Sequence, residues 1–143
     1  MKITIDNQIY QVPEGITIME ACRFAGIRVP SLCYLKDVSS NASCGVCVVE
    51  VKGAKTLLRS CITRVVENME ITTNNARILQ ARKMNVELLL ANHPQDCLSC
   101  DRNQHCELQQ LTYDFSITEK RFPRTRKALQ EKDYTSLSLI RDP

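Results

Sequence analysis

Seven of the eight cysteines and one of the two histidines in this 143-residue chain fall into two groups of four potential metal ligands. The first group has the spacing C-x10-C-x2-C-x13-C, and the second has the spacing H-x3-C-x2-C-x5-C. Four thiolates, or three thiolates and an imidazole, complete the coordination of a metal ion or an iron–sulfur cluster. The chain is therefore predicted to hold two inorganic centres. Their ligands would be Cys33, Cys44, Cys47 and Cys61 at one centre, and His93, Cys97, Cys100 and Cys106 at the other.

The cysteine content also indicates the compartment. Residues 1–6 alternate apolar and polar side chains and lack the continuous apolar segment of a signal peptide. No apolar run approaches the eighteen or so residues that a bilayer-spanning helix needs. Paired C-x2-C spacings without an export signal favour metal binding in a reducing compartment over disulfides. We therefore expect a cytoplasmic protein without membrane insertion.

The formal net charge is +3, and the positive side chains are concentrated late in the chain. Such a run can bind nucleic acid. No supporting fold motif accompanies it here, so a solvated segment or a protein-docking tail is the favoured interpretation and no nucleic-acid partner is expected. The residues concerned are Lys120, Arg121, Arg124, Arg126 and Lys127.

The residues around the first ligand group predict a mixed α+β domain over 1–75. A helix is predicted over 17–25, with Gly26 as its C-terminal stop. Cys22 lies on the apolar face of this helix and is expected to be a core residue, not a ligand. Alternating apolar residues predict strands at 2–5, 9–12, 46–51, 56–61 and 69–73, and the segment from 33 to 47 is expected to be a loop.

A small helical domain is predicted over 76–116, followed by a basic tail or linker over 117–143. Asn74 or Asn75 is a candidate cap for a helix over 76–91, which Pro94 brings to an end. A shorter helix is predicted over 106–115. The apolar side of the longer helix is expected to consist of Ile78, Leu79, Val86, Leu89 and Leu90.

The spacing of the first ligand group distinguishes a 2Fe–2S cluster from zinc. Zinc modules usually have two closely spaced cysteine pairs, whereas this group has one pair and two isolated cysteines. An extended loop that wraps around a 2Fe–2S cluster, with a later strand supplying the last ligand, has this layout. The loop is rich in Ser, Asn and Gly, so its backbone N–H groups can approach the sulfur atoms and help to set the potential.

Two segments carry a family resemblance. Residues 30–35 (PSLCYL) and 44–51 (CGVCVVEV) resemble the N-terminal ferredoxin domain of the large peripheral iron–sulfur subunit of complex I and of iron-only (FeFe) hydrogenases, with related NAD-linked hydrogenases and formate dehydrogenases. The resemblance implies a β-grasp fold, with Cys33 and Cys44 on one iron and Cys47 and Cys61 on the other. The spacing differs from the plant-type C-x4-C-x2-C pattern.

The second ligand group extends the same resemblance. These families carry an H-x3-C-x2-C-x5-C segment directly after the ferredoxin domain, where it binds a 4Fe–4S cluster through three cysteines and one histidine. His93 is the better match for that histidine, and His105 is its competitor. Residues 101–105 (DRNQH) lack the Gly-Gly pair of the complex I type and resemble the hydrogenase branch. Residues 138–143 (SLIRDP) resemble the lead-in to a C-x2-C-x2-C module that this sequence does not contain.

The resemblance implies an electron-transfer module that relays single electrons between one 2Fe–2S and one 4Fe–4S cluster in an NAD(P)-linked hydrogenase-type complex. No G-x-G-x-x-G fingerprint is present, so flavin, nicotinamide and catalytic sites are expected on other redox subunits of a hetero-oligomer. We expect no catalytic residue in this chain. Two alternatives stay open: a fragment of a complete iron-only hydrogenase or of a complex I or formate dehydrogenase subunit, and a zinc-stabilised interaction module.

Overall fold

A computed structural model describes residues 1–94 and 96–123. In these residues a five-stranded mixed sheet packs on one helix, and two further helices follow. A short 3-10 turn at Cys97–Ser99 precedes the last helix. The strands are β1 (Lys2–Ile5), β2 (Gln8–Gln11), β3 (Tyr34–Leu35), β4 (Ser39–Ser40), β5 (Val48–Val51), β6 (Leu58–Arg59) and β7 (Glu70–Thr72), and the helices are α1 (Ile18–Phe24), α2 (Ala76–Asn92) and α3 (Glu107–Asp114).

The main sheet has the strand order β2-β1-β7-β5-β6. Strands β1 and β7 are parallel, with Thr4 opposite Glu70, and the other neighbours are antiparallel. Ile3 and Ile5 of β1 pack with Ile18 and Met19 of α1 in one fully buried core. This arrangement of a mixed sheet around a single helix confirms the predicted α+β fold class with its ferredoxin-like β-grasp domain.

Local sequence signals place α1 where it was predicted. The Thr17 side chain accepts a hydrogen bond from the Glu20 backbone N–H, and the Glu20 carboxylate accepts one from the Thr17 N–H, which is a complete capping box. Gly26 follows the helix with φ +74°, a left-handed conformation that favours glycine. The helix therefore begins and ends at residues that satisfy its free backbone groups.

The segment between Cys33 and Cys47 is more ordered than the predicted loop. Strands β3 and β4 pair antiparallel within it, with Tyr34 opposite Ser40. Each strand has only two residues, so neither shows an alternation long enough to be read from the sequence.

Helix α2 buries only part of the predicted apolar side, because Ile78 and Val86 are buried and Leu90 is half-buried. The Asn75 side chain accepts a hydrogen bond from the Ile78 N–H, which confirms one of the two candidate caps. Leu79 and Leu89 are exposed, which contradicts the predicted apolar side. The buried residues of α2 include Glu87, Ala91 and the i, i+4 row Ile78, Arg82 and Val86, in which a charged residue occupies a core position. Because the middle residue of this row is an arginine, a search for apolar residues at helical spacing does not find the row.

A second apolar cluster joins the two halves of the described chain. Its buried members are Val46 from the first ligand segment, Val86 of α2 and Leu111 of α3. Partly buried residues pack around them, namely Leu32, Cys44, Leu90, Leu108, Phe115 and Ile117. The helical segment is therefore packed directly on the loop that carries the first ligand group. Across the described residues, every helix is too short or too polar to traverse a bilayer.

The one cysteine outside the ligand groups gives a prediction about pH. Cys22 lies on α1 and is completely buried in the main core, and burial raises the pKa of its thiol from 9.0 to about 11. The folded state therefore holds this proton more tightly than the unfolded state. The stability contributed by the neutral thiol is fully present below pH 9 and is lost as the pH rises to about 11.

We expect the wild-type protein to lose about 2 kcal/mol more of its free energy of unfolding between pH 9 and pH 11 than Cys22→Ala does. Anaerobic urea unfolding of both proteins at several pH values measures this difference. The alanine variant is also expected to be somewhat less stable at pH 7, because it leaves a small cavity. Parallel stability curves for the two proteins above pH 9 would contradict the prediction.

Candidate iron–sulfur centres

The fold brings the four cysteines of the first ligand group together in two close pairs. Cys33 lies immediately before β3 and Cys44 lies after β4, and their Sγ atoms are 3.3 Å apart. Cys47 directly precedes β5 and Cys61 follows β6, and their Sγ atoms are 3.4 Å apart. The two pairs are the same pairs that the family resemblance assigns to two separate irons.

The paired arrangement fits a binuclear cluster. Two ligands of one tetrahedral iron with bonds of about 2.3 Å lie somewhat under 4 Å from each other, close to the two observed separations. A mononuclear zinc site instead needs all four ligands around one point. The donor set and its arrangement in two close pairs therefore fit a 2Fe–2S cluster.

The two cysteine pairs lie in different environments. Cys47 and Cys61 are buried, whereas Cys33 and Cys44 are half-buried. Burial, followed by the neighbouring Cys47 thiol, raises the pKa of Cys61 to about 12. Burial also raises the pKa of Cys44. The sulfur of Cys33 is buried to some extent as well, but hydrogen bonds from Cys44 and Ser43 outweigh this effect and lower its pKa. Buried thiolates are unfavourable unless positive charge lies close to them.

Backbone contacts hold the loop that carries Cys44 and Cys47. The backbone N–H and the hydroxyl of Ser60 both donate to the Cys47 carbonyl, at 3.1 Å and 2.8 Å. The Asn85 side chain of α2 donates from Nδ2 to the Gly45 carbonyl at 2.7 Å. Gly45 has φ +65°, a conformation that side-chain-bearing residues rarely adopt. The loop is therefore held by Ser60, which follows β6, on one side and by Asn85 of α2 on the other.

The second ligand group lies at the junctions of the helical segment. His93 ends α2, and its backbone N–H donates to the Leu90 carbonyl. Cys97 begins the 3-10 turn, the Cys100 backbone N–H donates to the Cys97 carbonyl, and Cys106 is the N-cap residue of α3. Each proposed ligand therefore occupies the end of an element, where its position is set by the local backbone.

All four residues of the second ligand group line one small cleft, together with Pro94, Asp96, Arg102, Asn103 and Gln109. His105 is not part of its wall and lies at a different surface depression. Three thiols and one imidazole are a donor set suited to an iron–sulfur cluster. Cys97 and Cys100 are exposed, so this centre lies at the surface, unlike the buried side of the first centre.

Two residues that support the first centre were missed in the sequence. Arg82 and Asn85 of α2 both donate to backbone carbonyls of the cluster-binding loop, at Val48 and at Gly45. The sequence does hold one signal for Arg82. It lies four residues after Ile78 and four before Val86, so it shares one face of the helix with them. The position of Asn85 depends on how α2 packs, and no spacing in the sequence gives it.

Comparison with known proteins identifies both regions. The family described as 2Fe-2S iron-sulfur cluster binding domain matches residues 1–76. The family described as NADH-ubiquinone oxidoreductase-G iron-sulfur binding region matches residues 82–121. These matches account for one 2Fe–2S and one 4Fe–4S cluster.

Relatives and solved structures extend over nearly the whole chain. It is 46% identical over 147 residues to NADP-reducing hydrogenase subunit HndD of Solidesulfovibrio fructosivorans, covering 99% of this chain and 25% of that protein. It is 35% identical to the NADH-ubiquinone oxidoreductase 75 kDa subunit of Reclinomonas americana, covering 93% of this chain and 19% of that protein. A chain of an NAD+-reducing NiFe-hydrogenase in the H2-reduced state matches with TM-score 0.84 and 26% identity, covering 99% of this chain and 59% of that chain. This chain therefore spans a quarter or less of these two curated relatives.

Gly45 provides a test of the loop geometry. A Cβ atom at this position would lie 2.8 Å from Nδ2 and 3.1 Å from Cγ of Asn85. We expect Gly45→Ala to lower the free energy of unfolding by about 1–2 kcal/mol through its positive φ, with a further loss from the clash, and to reduce the content of 2Fe–2S cluster. Spin-quantified electron paramagnetic resonance (EPR) of the reduced protein measures that content.

Gly53→Ala is the matched control, because Gly53 has φ +87° and nothing within 4 Å of the added Cβ. It introduces comparable backbone strain without the contact to α2, so its 2Fe–2S content is expected to stay near the wild-type value. Adding Asn85→Ala to the Gly45→Ala variant is expected to recover part of the lost cluster. Equal cluster loss in both glycine variants would show that the contact to Asn85 is unimportant.

Proposed function

We propose that this chain, which belongs to the family of 2Fe–2S iron–sulfur cluster binding domains, relays single electrons between a 2Fe–2S and a 4Fe–4S cluster inside a larger NAD(P)-linked redox complex. Each bound cluster supplies reversible one-electron chemistry. The proposed ligands of the 2Fe–2S cluster are Cys33, Cys44, Cys47 and Cys61, and those of the 4Fe–4S cluster are His93, Cys97, Cys100 and Cys106.

The observation that carries this proposal is the packing between the two ligand groups. Cys44 of the first group belongs to the same apolar cluster as Leu90 and Leu108, which lie three residues before His93 and two residues after Cys106. From Asn85, which contacts the first loop, to His93 is eight residues of helix and cap, or about 12 Å. This packing supports a fixed separation of the two proposed centres, because side chains in contact, not a flexible linker, connect them.

The protein residues around the centres bind and position them and need no acid–base or nucleophilic chemistry. We propose a division into a 2Fe–2S domain at 1–75, a His/Cys 4Fe–4S domain at 76–116 and a segment from 117 that connects to a partner or further module. Residues 124–143, which include most of the basic run and the resemblance at 138–143, lie outside the described residues.

We propose that other redox subunits provide the flavin, nicotinamide and catalytic sites, and that the complex is cytoplasmic. The relatives are named as subunits of a hydrogenase and of a ubiquinone oxidoreductase. Leu98, between two proposed ligands, is 97% exposed, and Tyr113, which lines one groove together with Leu98 and Cys97, is 73% exposed. Apolar side chains beside a cluster site are suited to contact with a partner subunit. Exposed thiolate ligands also suit a reducing compartment.

The relay is tested by following one electron within the protein. Anaerobically prepared protein that contains both clusters is given less than one electron per chain by a photochemical one-electron donor, and freeze-quenched samples are examined by EPR. We expect the electron to redistribute between the two clusters at a rate independent of protein concentration, because the centres share one packed unit. A redistribution rate proportional to concentration would contradict the relay, as would a colourless protein with zinc and no acid-labile sulfide.

Cys100→Ser is the companion variant in this experiment. It is expected to lose the 4Fe–4S signal and to keep the 2Fe–2S signal, since the ligand groups are separate, so the injected electron then stays on the 2Fe–2S cluster. Cys22→Ala is its control and is expected to keep both signals, because Cys22 belongs to neither ligand group, although it lies in the same core as Cys47 and Cys61. Loss of both signals in Cys100→Ser would show that the two centres assemble only as one unit.

His93→Cys tests the proposed imidazole ligand. A thiolate in place of a neutral imidazole adds one negative charge to the cluster, so we expect the 4Fe–4S cluster to be retained with a lower midpoint potential. Potentiometric EPR titration measures this potential. His105→Ala is the control and is expected to leave the potential unchanged, because His105 does not line the cleft. An unchanged or raised potential in His93→Cys would argue against His93 as the ligand.

A further inference from the structure

Helix α2 carries an arginine in the interior of the protein. Arg82 is 5% exposed, and its Nη2 donates a hydrogen bond to the Val48 carbonyl at 2.8 Å. Its Nε is buried and is the one side-chain nitrogen or oxygen atom among the described residues that is buried without a hydrogen-bond partner. Buried polar groups in proteins are almost always satisfied, so this atom requires an explanation.

Among residues 1–94 and 96–123, no carboxylate forms an ion pair with Arg82. The ion pairs of the described residues join Lys52 to Glu70, Arg77 to Glu50 and Arg121 to Glu87. Asp6 is the carboxylate whose charge acts on Arg82. Both of its carboxylate oxygens accept hydrogen bonds from Thr73. A guanidinium stays protonated even when buried, and an unpaired buried charge is strongly unfavourable.

The position of Arg82 indicates what balances its charge. The carbonyl that it contacts belongs to Val48, the residue that follows the proposed ligand Cys47. Burial lowers the pKa of Arg82, and the leading opposing influence is the charge of Cys47, ahead of Cys22 and Asp6. Because the Cys22 thiol stays protonated at neutral pH and the influence of Asp6 is the smallest of the three, the thiolate side of the proposed 2Fe–2S centre is the leading negative charge near Arg82.

We propose that Arg82 is the buried counter-charge of the 2Fe–2S centre and raises its midpoint potential. This inference rests on the proposed function and adds a residue that positions charge, not a ligand. A 2Fe–2S cluster with four thiolates is negatively charged, and its reduced form carries one more negative charge than its oxidised form. A fixed cation in a region of low dielectric therefore stabilises the reduced form more than the oxidised form. Its effect is weakly screened by salt because water is excluded from it.

Arg82→Gln removes the charge and keeps a hydrogen-bond donor. At a fixed applied potential we expect the ratio of reduced to oxidised 2Fe–2S cluster to fall about tenfold, which for one electron is a midpoint about 59 mV lower. Potentiometric EPR titration of the protein with both clusters measures it. Arg82→Lys keeps the charge and is expected to stay near the wild-type potential. The 4Fe–4S potential serves as an internal reference and is expected to change much less.

Arg77→Gln is the matched control, because it removes one positive charge from the same helix at an exposed position paired with Glu50. Water and salt screen that charge, so little change in potential is expected. An Arg82→Gln protein with full 2Fe–2S spin content and an unchanged potential would overturn the proposal. A potential lowered equally by Arg82→Lys and Arg82→Gln would also overturn it, because shape instead of charge would then be responsible.

Two further results are decisive. If Arg82→Gln and the apolar variant Arg82→Met both lose the 2Fe–2S cluster while Arg82→Lys retains it, the charge is required for binding and the proposal is supported. If Arg82→Lys loses it as well, the proposal fails. Wild-type protein without a 2Fe–2S signal would instead refute the proposed function itself, and this outcome differs from every result that concerns Arg82 alone.

Discussion

The contact between helix α2 and the cluster-binding loop is the interaction on which the rest of the structure depends. Within two turns of α2, Arg82 donates to the Val48 carbonyl, Asn85 donates to the Gly45 carbonyl, and Val86 packs against Val46. These contacts fix the backbone on both sides of Cys47. The same helix ends at His93 in the second ligand group. One rigid element therefore positions parts of both centres, and a small β-grasp domain gains a second layer of packing.

The buried thiolates impose an electrostatic constraint on this packing. Cys47 and Cys61 lie in the interior, where a negative charge without a partner is unfavourable. Backbone hydrogen bonds at Cys33 and Cys44 reduce that cost on the exposed side of the site, as the causes of their pKa changes indicate. On the buried side, the chain supplies a guanidinium instead of an apolar residue in the core row of α2. Iron and Arg82 together would balance the charge that the ligands bring.

The sequence predicted the features that short-range chemistry determines. Helix α1 was predicted from its apolar face and glycine stop, and α2 from Asn75 and Pro94. Residue type and spacing predict the two ligand groups. The buried face of α2 was predicted wrongly at Leu79 and Leu89 because packing against the first loop, not local hydrophobicity, selects that face. Strands β3 and β4 and the contacts of Arg82 and Asn85 depend on residues far apart in the chain, which periodicity in one segment cannot reveal.

The two proposed centres differ in how far their ligands are exposed to solvent. The first centre has two buried ligands and contacts the core of the β-grasp domain, whereas Cys97 and Cys100 at the second are exposed. The half-buried Cys44 faces the apolar cluster shared with α2 and α3. A potential set by a buried arginine is insulated from the solvent, while one set at an exposed site changes with whatever covers it. Under the proposed role of Arg82, the potential of the first centre is tuned by this chain itself, whereas that of the second depends on what covers the exposed Cys97 and Cys100.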